Sequence, residues 1–308
     1  MEYIEFGLDN DKVSKVILGL MRTSEMTADS LLDLGMASLD EGINFFDTAD
    51  CYGNGRAEEV LGEAFQKDKS LRNRVFLQSK CGIRSENGLT WYDFSKEHIL
   101  NAVDASLIRL KTDHLDSLLL HRPDALMEPE EIAEAFTSLY KSGKVRNFGL
   151  SNCNPYQMEL LKTLPFKICA NQLQFSVCHT PMIDEGFDVN MKWEGSSVRA
   201  GGILEYCRVN DIAVQAWSTM QFGFFEGVYL NNPNFPDLNR VLYRIAGEKN
   251  VSATAVALSW ILRHPAKMQA VIGTTKIDRV KESAQASSNF LSRKEWYELY
   301  QAAGNRLP

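Results

Sequence analysis

Short apolar runs alternate along the chain with longer stretches in which apolar residues return every third or fourth position. The runs are Val16–Met21, Asn44–Thr48, Val75–Lys80, Ser117–His121, Val145–Leu150, Ala170–Phe175, Ala213–Trp217 and Ala270–Gly273. Rich in Ile, Val, Leu and Phe, they read as apolar on both faces, the pattern of buried parallel strands. Between them Leu32, Met36 and Leu39 form a helical stripe. So do Val60, Leu61, Ala64 and Phe65; Ile99, Val103, Leu107 and Leu110; Ile132, Phe136, Leu139 and Tyr140; and Val256, Ala257, Trp260 and Ile261. Ser95 and Asn154 stand where N-caps belong, Asn154 with Pro155 at the first helical position, and Thr275 with Asp278 reads as a capping box. In the tail after Asn289, a last helix is expected at Arg293–Ala302.

Strands alternating with helices over 308 residues predict a (β/α)8 TIM barrel, with residues 1–308 as one domain. A doubly wound open sheet is the competitor, but no G-x-G-x-x-G follows any strand, so a Rossmann dinucleotide site has no support. Connections into strands are short: Glu41-Gly42, Lys111 to Leu115, Ser142 to Lys144, Asn210 to Ile212. Connections out of strands are long and read as irregular: Cys81 to Phe94, Ser176 to Gly195, Ser218 to Pro236. That asymmetry places the functional surface at the C-terminal ends of the strands.

Composition changes this picture little. Hydrophobic residues at 44% and charged residues at 24% suffice for a large core. A formal net charge of -7 argues against nucleic acid or an anionic membrane as an obligatory partner. The six cysteines form no C-x-x-C pair and have no His at metal-ligand spacing, so they read as inert thiols of a reducing compartment. Residues 1–9 are polar, without a signal-peptide apolar region, and no run reaches the ~20 residues of a membrane span. A cytoplasmic protein is the expectation.

Three neighbouring strands end in chemistry. Asn44-Phe45-Phe46 runs into Asp47, with Tyr52 just beyond; Val75 to Ser79 runs into Lys80; Leu118 to Leu120 runs into His121. Singly, each is readily a cap, a turn residue or a satisfied structural side chain. On adjacent strands of a parallel barrel, all four reach one rim.

In these residues the chain resembles the aldo-keto reductases, its bacterial branch in particular. The resemblance runs nearly the whole length. It rests on Asn44-Phe45-Phe46-Asp47-Thr48-Ala49 with Tyr52-Gly53, on Gln78-Ser79-Lys80, and on Leu119-Leu120-His121-Arg122-Pro123-Asp124. Gly143-Lys144-Val145-Arg146, Gly149-Leu150-Ser151-Asn152, Asn171-Gln172-Leu173-Gln174, Ala216-Trp217-Ser218 and Ile272-Gly273-Thr274-Thr275-Lys276 complete it. It implies NADPH-dependent reduction of an aldehyde or ketone, with Tyr52 as proton donor, Lys80 and Asp47 tuning it, and His121, neutral or shared in a hydrogen bond, donating to or orienting the carbonyl oxygen. Hydride transfer with a Tyr acid needs no metal, so none is expected. A cation ~4 Å from a phenolate is worth roughly 4 kcal/mol at an effective dielectric of ~20. That is about three pKa units, enough to bring a phenol from about 10 to near 7.

By position, the resemblance assigns Ser151, Asn152 and Gln172 to the cofactor's carboxamide and Trp217 to stacking on its nicotinamide. Met21, Ser218, Thr219 and Gln221 join the cofactor set. Gly273, Thr274, Thr275, Lys276 and Arg279, at the start of a helix, resemble the pocket for the adenosine 2′-phosphate, which favours NADP(H) over NAD(H). Ser283 stands where relatives often carry an adenine-binding Asn, and Ser218-Thr219-Met220 replaces a common Ser-Pro-Leu. Candidates for the substrate pocket are Met21, Arg22, Trp91, Tyr92 and Phe222 to Phe225. A monomer is the family's common state. Two rivals are a non-catalytic, cofactor-sensing relative and a lyase that forms a Schiff base on Lys80.

Overall fold

In this computed structural model, residues 1–188, 201–288 and 291–305 are described; the later part of the Ser176 to Gly195 connection, and Asn289, lie outside them. Eight parallel strands close into a barrel: β1 (Val16–Gly19), β2 (Phe45–Asp47), β3 (Phe76–Cys81), β4 (Leu115–Leu120), β5 (Val145–Ser151), β6 (Ile168–Gln174), β7 (Ala213–Trp217) and β8 (Met268–Ile272). Each pairs with the next in sequence, and Ala270–Ile272 of β8 pair with Val16–Leu18 of β1 to close the ring. Every strand read from the sequence is a barrel strand, which excludes the open sheet.

Alternation along each strand sorts its residues to the two faces. On β2, Phe46 joins the apolar layer between barrel and helices, while Phe45 and Asp47 point to the interior. On β3, Leu77 goes outward and Phe76, Gln78 and Lys80 inward. The interior is therefore stratified. At its floor Phe6, Phe45 and Phe76 pack with ring centroids 4.7–5.5 Å apart. Above them lie the side chains of Gln78, Gln172, Gln215 and Gln269, and above those the charges of the rim. The strands are thus not apolar on both faces; four interior positions carry amides that bond to one another.

Phe6 belongs to a hairpin, Tyr3–Phe6 paired with Asp11–Ser14, that contributes to the barrel floor and has no counterpart in the expected elements. Two strand-exit connections are also more regular than expected. Ile83–Glu86 pairs with Leu89–Tyr92, and Gln221–Phe222 with Gly227–Val228. Pro181–Phe187 is helical. The helix at Arg293–Ala302 forms, capped by Ser292 and Glu295.

Ser95 caps Lys96–Leu110, and Asn154 with Gln157 makes a reciprocal capping box before Pro155–Leu160. Thr275 and Asp278 make no such box. The last barrel helix, Ile277–Ala284, has extended Lys276 at its N-cap, and its amide donates to Thr274 Oγ1 at 3.1 Å. Among the described residues no helix is long and apolar enough to cross a membrane.

The helix Arg56–Lys67 crosses Lys96–Leu110 at Gly62, where a Cβ would lie 2.1 Å from the carbonyl oxygen of Arg109. Backbone cannot step aside as a side-chain tip can. Gly62→Ala should therefore destabilise the protein by about 1–3 kcal/mol or more, read as a lower urea midpoint.

Candidate active site

The strand register brings the polar strand ends together. Asp47 pairs with Gln78 and Lys80 with Leu119, so Asp47, Lys80 and His121 reach neighbouring points on the rim. Beyond β2 the chain stays tied to β3: Thr48 N donates to Gln78 O, and Asp50 N to Lys80 O. A short turn, Tyr52–Gly55, then carries the tyrosine. Gly53 permits that turn, because its φ is 56° and a Cβ would lie 2.4 Å from Ser24 Cβ.

Lys80 is fully buried and its ammonium has three partners. It donates to Asp47 Oδ2 at 2.7 Å, to Thr48 O at 2.7 Å and to Tyr52 Oη at 3.2 Å. Burial works to lower its pKa, but Asp47 and Tyr52 outweigh it and hold the ammonium charged, above its ordinary value. Asp47 Oδ1 accepts from Gln78 Nε2 at 2.7 Å and from Gln172 Nε2 at 3.2 Å. The Lys80 amine does not face solvent and is held as a charged ammonium, which argues against the Schiff-base rival.

Burial pushes the Tyr52 phenol above its ordinary value of 10.0; Lys80 pulls it down and Asp47 pushes it up. This corrects the expectation of a phenol near 7. A single Coulomb pair in partly polar surroundings overstated the pull, because it left out desolvation of the phenolate and the carboxylate that offsets Lys80.

His121 is buried edge-on to Tyr52, with ring centroids 5.7 Å apart. Burial, then the charges of Lys80 and Arg122, hold its pKa well below the ordinary 6.5, so the ring is neutral, as expected. Its Nδ1 lies 3.6 Å from Cys51 Sγ. Burial pushes that thiol up to about 11, so it keeps its proton and can donate it to Nδ1, leaving the imidazole proton on Nε2.

One cavity of about 1110 Å³ runs from these residues across the barrel mouth. It exceeds the ~300–1,000 Å³ usual for a small-molecule site, leaving room for a dinucleotide and a small substrate together. Asp47, Tyr52 and His121 line it, and Lys80 stands behind Tyr52. Of the cofactor set, Met21, Ser151, Asn152, Gln172, Trp217, Ser218, Thr219 and Gln221 lie on its wall. At the far end Gly273, Thr274, Arg279 and Ser283 line it, whereas Thr275 and Lys276 are exposed and off the wall.

Ser151 Oγ donates to Gln172 O, Asn152 Nδ2 to Ser151 Oγ, and Trp217 Nε1 to Asn152 Oδ1, so these residues are preset as one bonded group. Arg22 and Phe225 also reach the cavity, while Trp91, Tyr92, Phe222 and Phe224 do not line it. The sequence reading omitted Cys51, Ile83, Arg122, Tyr243, Asn250 and Glu282, which do. Arg122 directly follows His121 and sits over the Trp217 ring, 5.5 Å from its centroid, a position its place in the strand-end motif could have suggested.

The aldo/keto reductase family model matches residues 15–303. The chain is 35% identical to Oxidoreductase YdhF of Escherichia coli, over 98% of each chain. It is 33% identical to the 6-dehydroglucose reductase of Agrobacterium fabrum, over 96% of each. It superposes on an aldo-keto reductase of Klebsiella pneumoniae crystallised with NADPH, with TM-score 0.76 and 25% identity, over 99% of this chain and 96% of that one.

Proposed function

The chain belongs to the aldo/keto reductase family and is an NADP(H)-dependent oxidoreductase; on that premise we propose that it reduces an aldehyde or ketone to the alcohol with Tyr52 as proton donor. One observation carries this reading. Lys80 joins Asp47 to the Tyr52 hydroxyl at one end of a cavity whose other end is lined by Arg279 and Thr274.

The cavity fits the cofactor in size and in its polar groups. Ser151, Asn152 and Gln172 offer amide and hydroxyl groups for a carboxamide, and Trp217 offers an aromatic face. NADPH, when bound, supplies the hydride. Tyr52 meets the carbonyl oxygen from the protein side. Because its pKa is raised, the phenol is protonated at neutral pH, the form a donor needs in the reductive direction. As the proton leaves, negative charge grows 3.2 Å from the Lys80 ammonium. Attraction there offsets part of the cost of a buried phenolate; the remainder is what leaves the phenol's pKa raised. Asp47 keeps Lys80 charged and fixed. The neutral His121, with its proton on Nε2, donates a hydrogen bond to the same oxygen.

For substrate, the wall near Tyr52 mixes Ile83, Trp217 and Phe225 with Arg122. Aromatic aldehydes and, from the name of the Agrobacterium relative, a hexose-derived aldehyde are the first compounds to try.

Intrinsic tryptophan fluorescence, titrated with NADPH and with NADH, tests the cofactor end. Tight quenching by NADPH and weak quenching by NADH is expected. Removing a charge-assisted contact costs about 1.5–3 kcal/mol, so Arg279→Ala should weaken NADPH by roughly tenfold or more and leave NADH unchanged. Equal weakening of both would remove Arg279 from the phosphate pocket.

A further inference from the structure

Beside the tyrosine lies a group of ligand atoms that carbonyl reduction does not use together. Asp50 and Cys51 precede Tyr52, and His121, the residue just past β4, faces it. One carboxylate oxygen, Sγ and one ring nitrogen of the three lie within 4.8 Å of one another, with Cys51 Sγ 3.6 Å from His121 Nδ1. Around a tetrahedral Zn2+, with bonds of about 2.3 Å to sulfur and about 2.0 Å to nitrogen, the S···N separation is about 3.5 Å. The thiol and imidazole are therefore already spaced as two ligands of one ion. Independently, Asp50 Oδ1 is buried from solvent and has no hydrogen-bond partner. A buried, unpaired carboxylate oxygen is costly, and a cation is among the few partners that would satisfy it.

We propose that Asp50, Cys51 and His121 form a binding site for a thiophilic divalent cation of the Zn2+ class at the edge of the cleft, and that occupation shuts off reduction. A nitrogen, a thiolate and a carboxylate are the donor set that suits Zn2+ or Co2+ over Mg2+ or Ca2+. The fourth position is left to water, with Cys51 on the cavity wall as the point of entry. Binding displaces the thiol proton to solvent, and the thiolate sulfur donates its electron pair to the metal, with no change of oxidation state. Full coordination requires Asp50 to close on the other two ligands. That draws the segment leading to Tyr52 toward His121 and away from its 3.2 Å contact with Lys80. It also adds positive charge beside Lys80 and Arg122. Metal binding stands on the ligand geometry alone; the loss of reduction rests on the proposed roles of Tyr52 and His121.

The full-length protein, titrated with Co2+, separates the two. One equivalent should bring up a thiolate-to-cobalt charge-transfer band, and Zn2+ should bleach it by displacement. Cys51→Ser should abolish the band. Asp50→Asn and His121→Asn should each weaken Co2+ by roughly tenfold or more, with circular dichroism confirming that the variants are folded. In wild type, NADPH-dependent reduction should fall in step with Co2+ occupancy and return on chelation. No band in wild type, or a band that survives in Cys51→Ser, overturns the site. A band with undiminished turnover at full occupancy keeps the site and overturns its inhibitory role.

Discussion

Tyr52→Phe should lower kcat for carbonyl reduction by about 10²–10⁴-fold, the usual contribution of a positioned proton donor, with NADPH affinity changed little. The split follows from what the hydroxyl touches. Its hydrogen bond is to Lys80, which keeps Asp47 and Thr48 O as partners when the hydroxyl is removed. The ring itself remains, and so do its edge contact with His121 and its place 4.8 Å under the Lys80 ammonium. The cleft keeps its shape and loses only the hydroxyl proposed to carry the proton. Steady-state kinetics beside a fluorescence titration with NADPH read the two quantities separately. Equal losses in kcat and in NADPH affinity would make Tyr52 a structural part of the pocket.

The second large effect is on Lys80, and it couples activity to stability. Lys80→Met removes a fully buried cation and leaves Asp47, itself 3% exposed, with only the amide donors of Gln78 and Gln172. Removing one member of a buried ion pair costs about 3–5 kcal/mol of stability, because the remaining charge is unpaired. Turnover should fall at least as far as in Tyr52→Phe, since the phenolate left by proton transfer then has no cation beside it. Replacing both, Lys80→Met with Asp47→Leu, should return most of the stability by exchanging an ion pair for apolar packing, yet return none of the rate. Urea unfolding and steady-state kinetics on the single and double variants check both halves. A double variant as unstable as the single would mean that the pair is held for packing of the barrel interior and not for charge.

Much of this site was legible before the fold. Asp47, Lys80 and His121 each end an apolar run, and a strand end is where a charge can leave the core without leaving the barrel. Their convergence needed only the order of strands, which alternation with helices supplied. The amide layer was not legible in the same way. Gln78, Gln215 and Gln269 each interrupt an apolar run once, and a lone glutamine in a strand looks like an outward-facing residue. Closure of the ring turns those positions inward, lets Gln78 and Gln215 bond each other, and lets Gln78 hold Asp47.

The end of the cavity proposed to hold the phosphate was half legible. The basic helix start was visible, but which of its residues face the cavity depends on where the helix begins. With Lys276 extended at the N-cap, Thr274 and Arg279 line the wall and Thr275 and Lys276 do not. The N-terminal hairpin was hidden by composition: charged residues in Tyr3–Phe6 and Asp11–Ser14 mask a short alternation that buries Phe6 and Val13. The Tyr52 pKa was out of reach from spacing, because it turns on desolvation, which only a packed structure defines.

The most direct measurement is a single turnover. Protein mixed with one equivalent of NADPH and an excess of an aromatic or hexose-derived aldehyde is followed for loss of reduced cofactor and for alcohol formed. The expected result is one alcohol per NADPH in wild type, and NADPH bound but unconsumed over the same time in Tyr52→Phe. Alcohol formed by Tyr52→Phe at the wild-type rate would contradict the assignment of the proton to Tyr52.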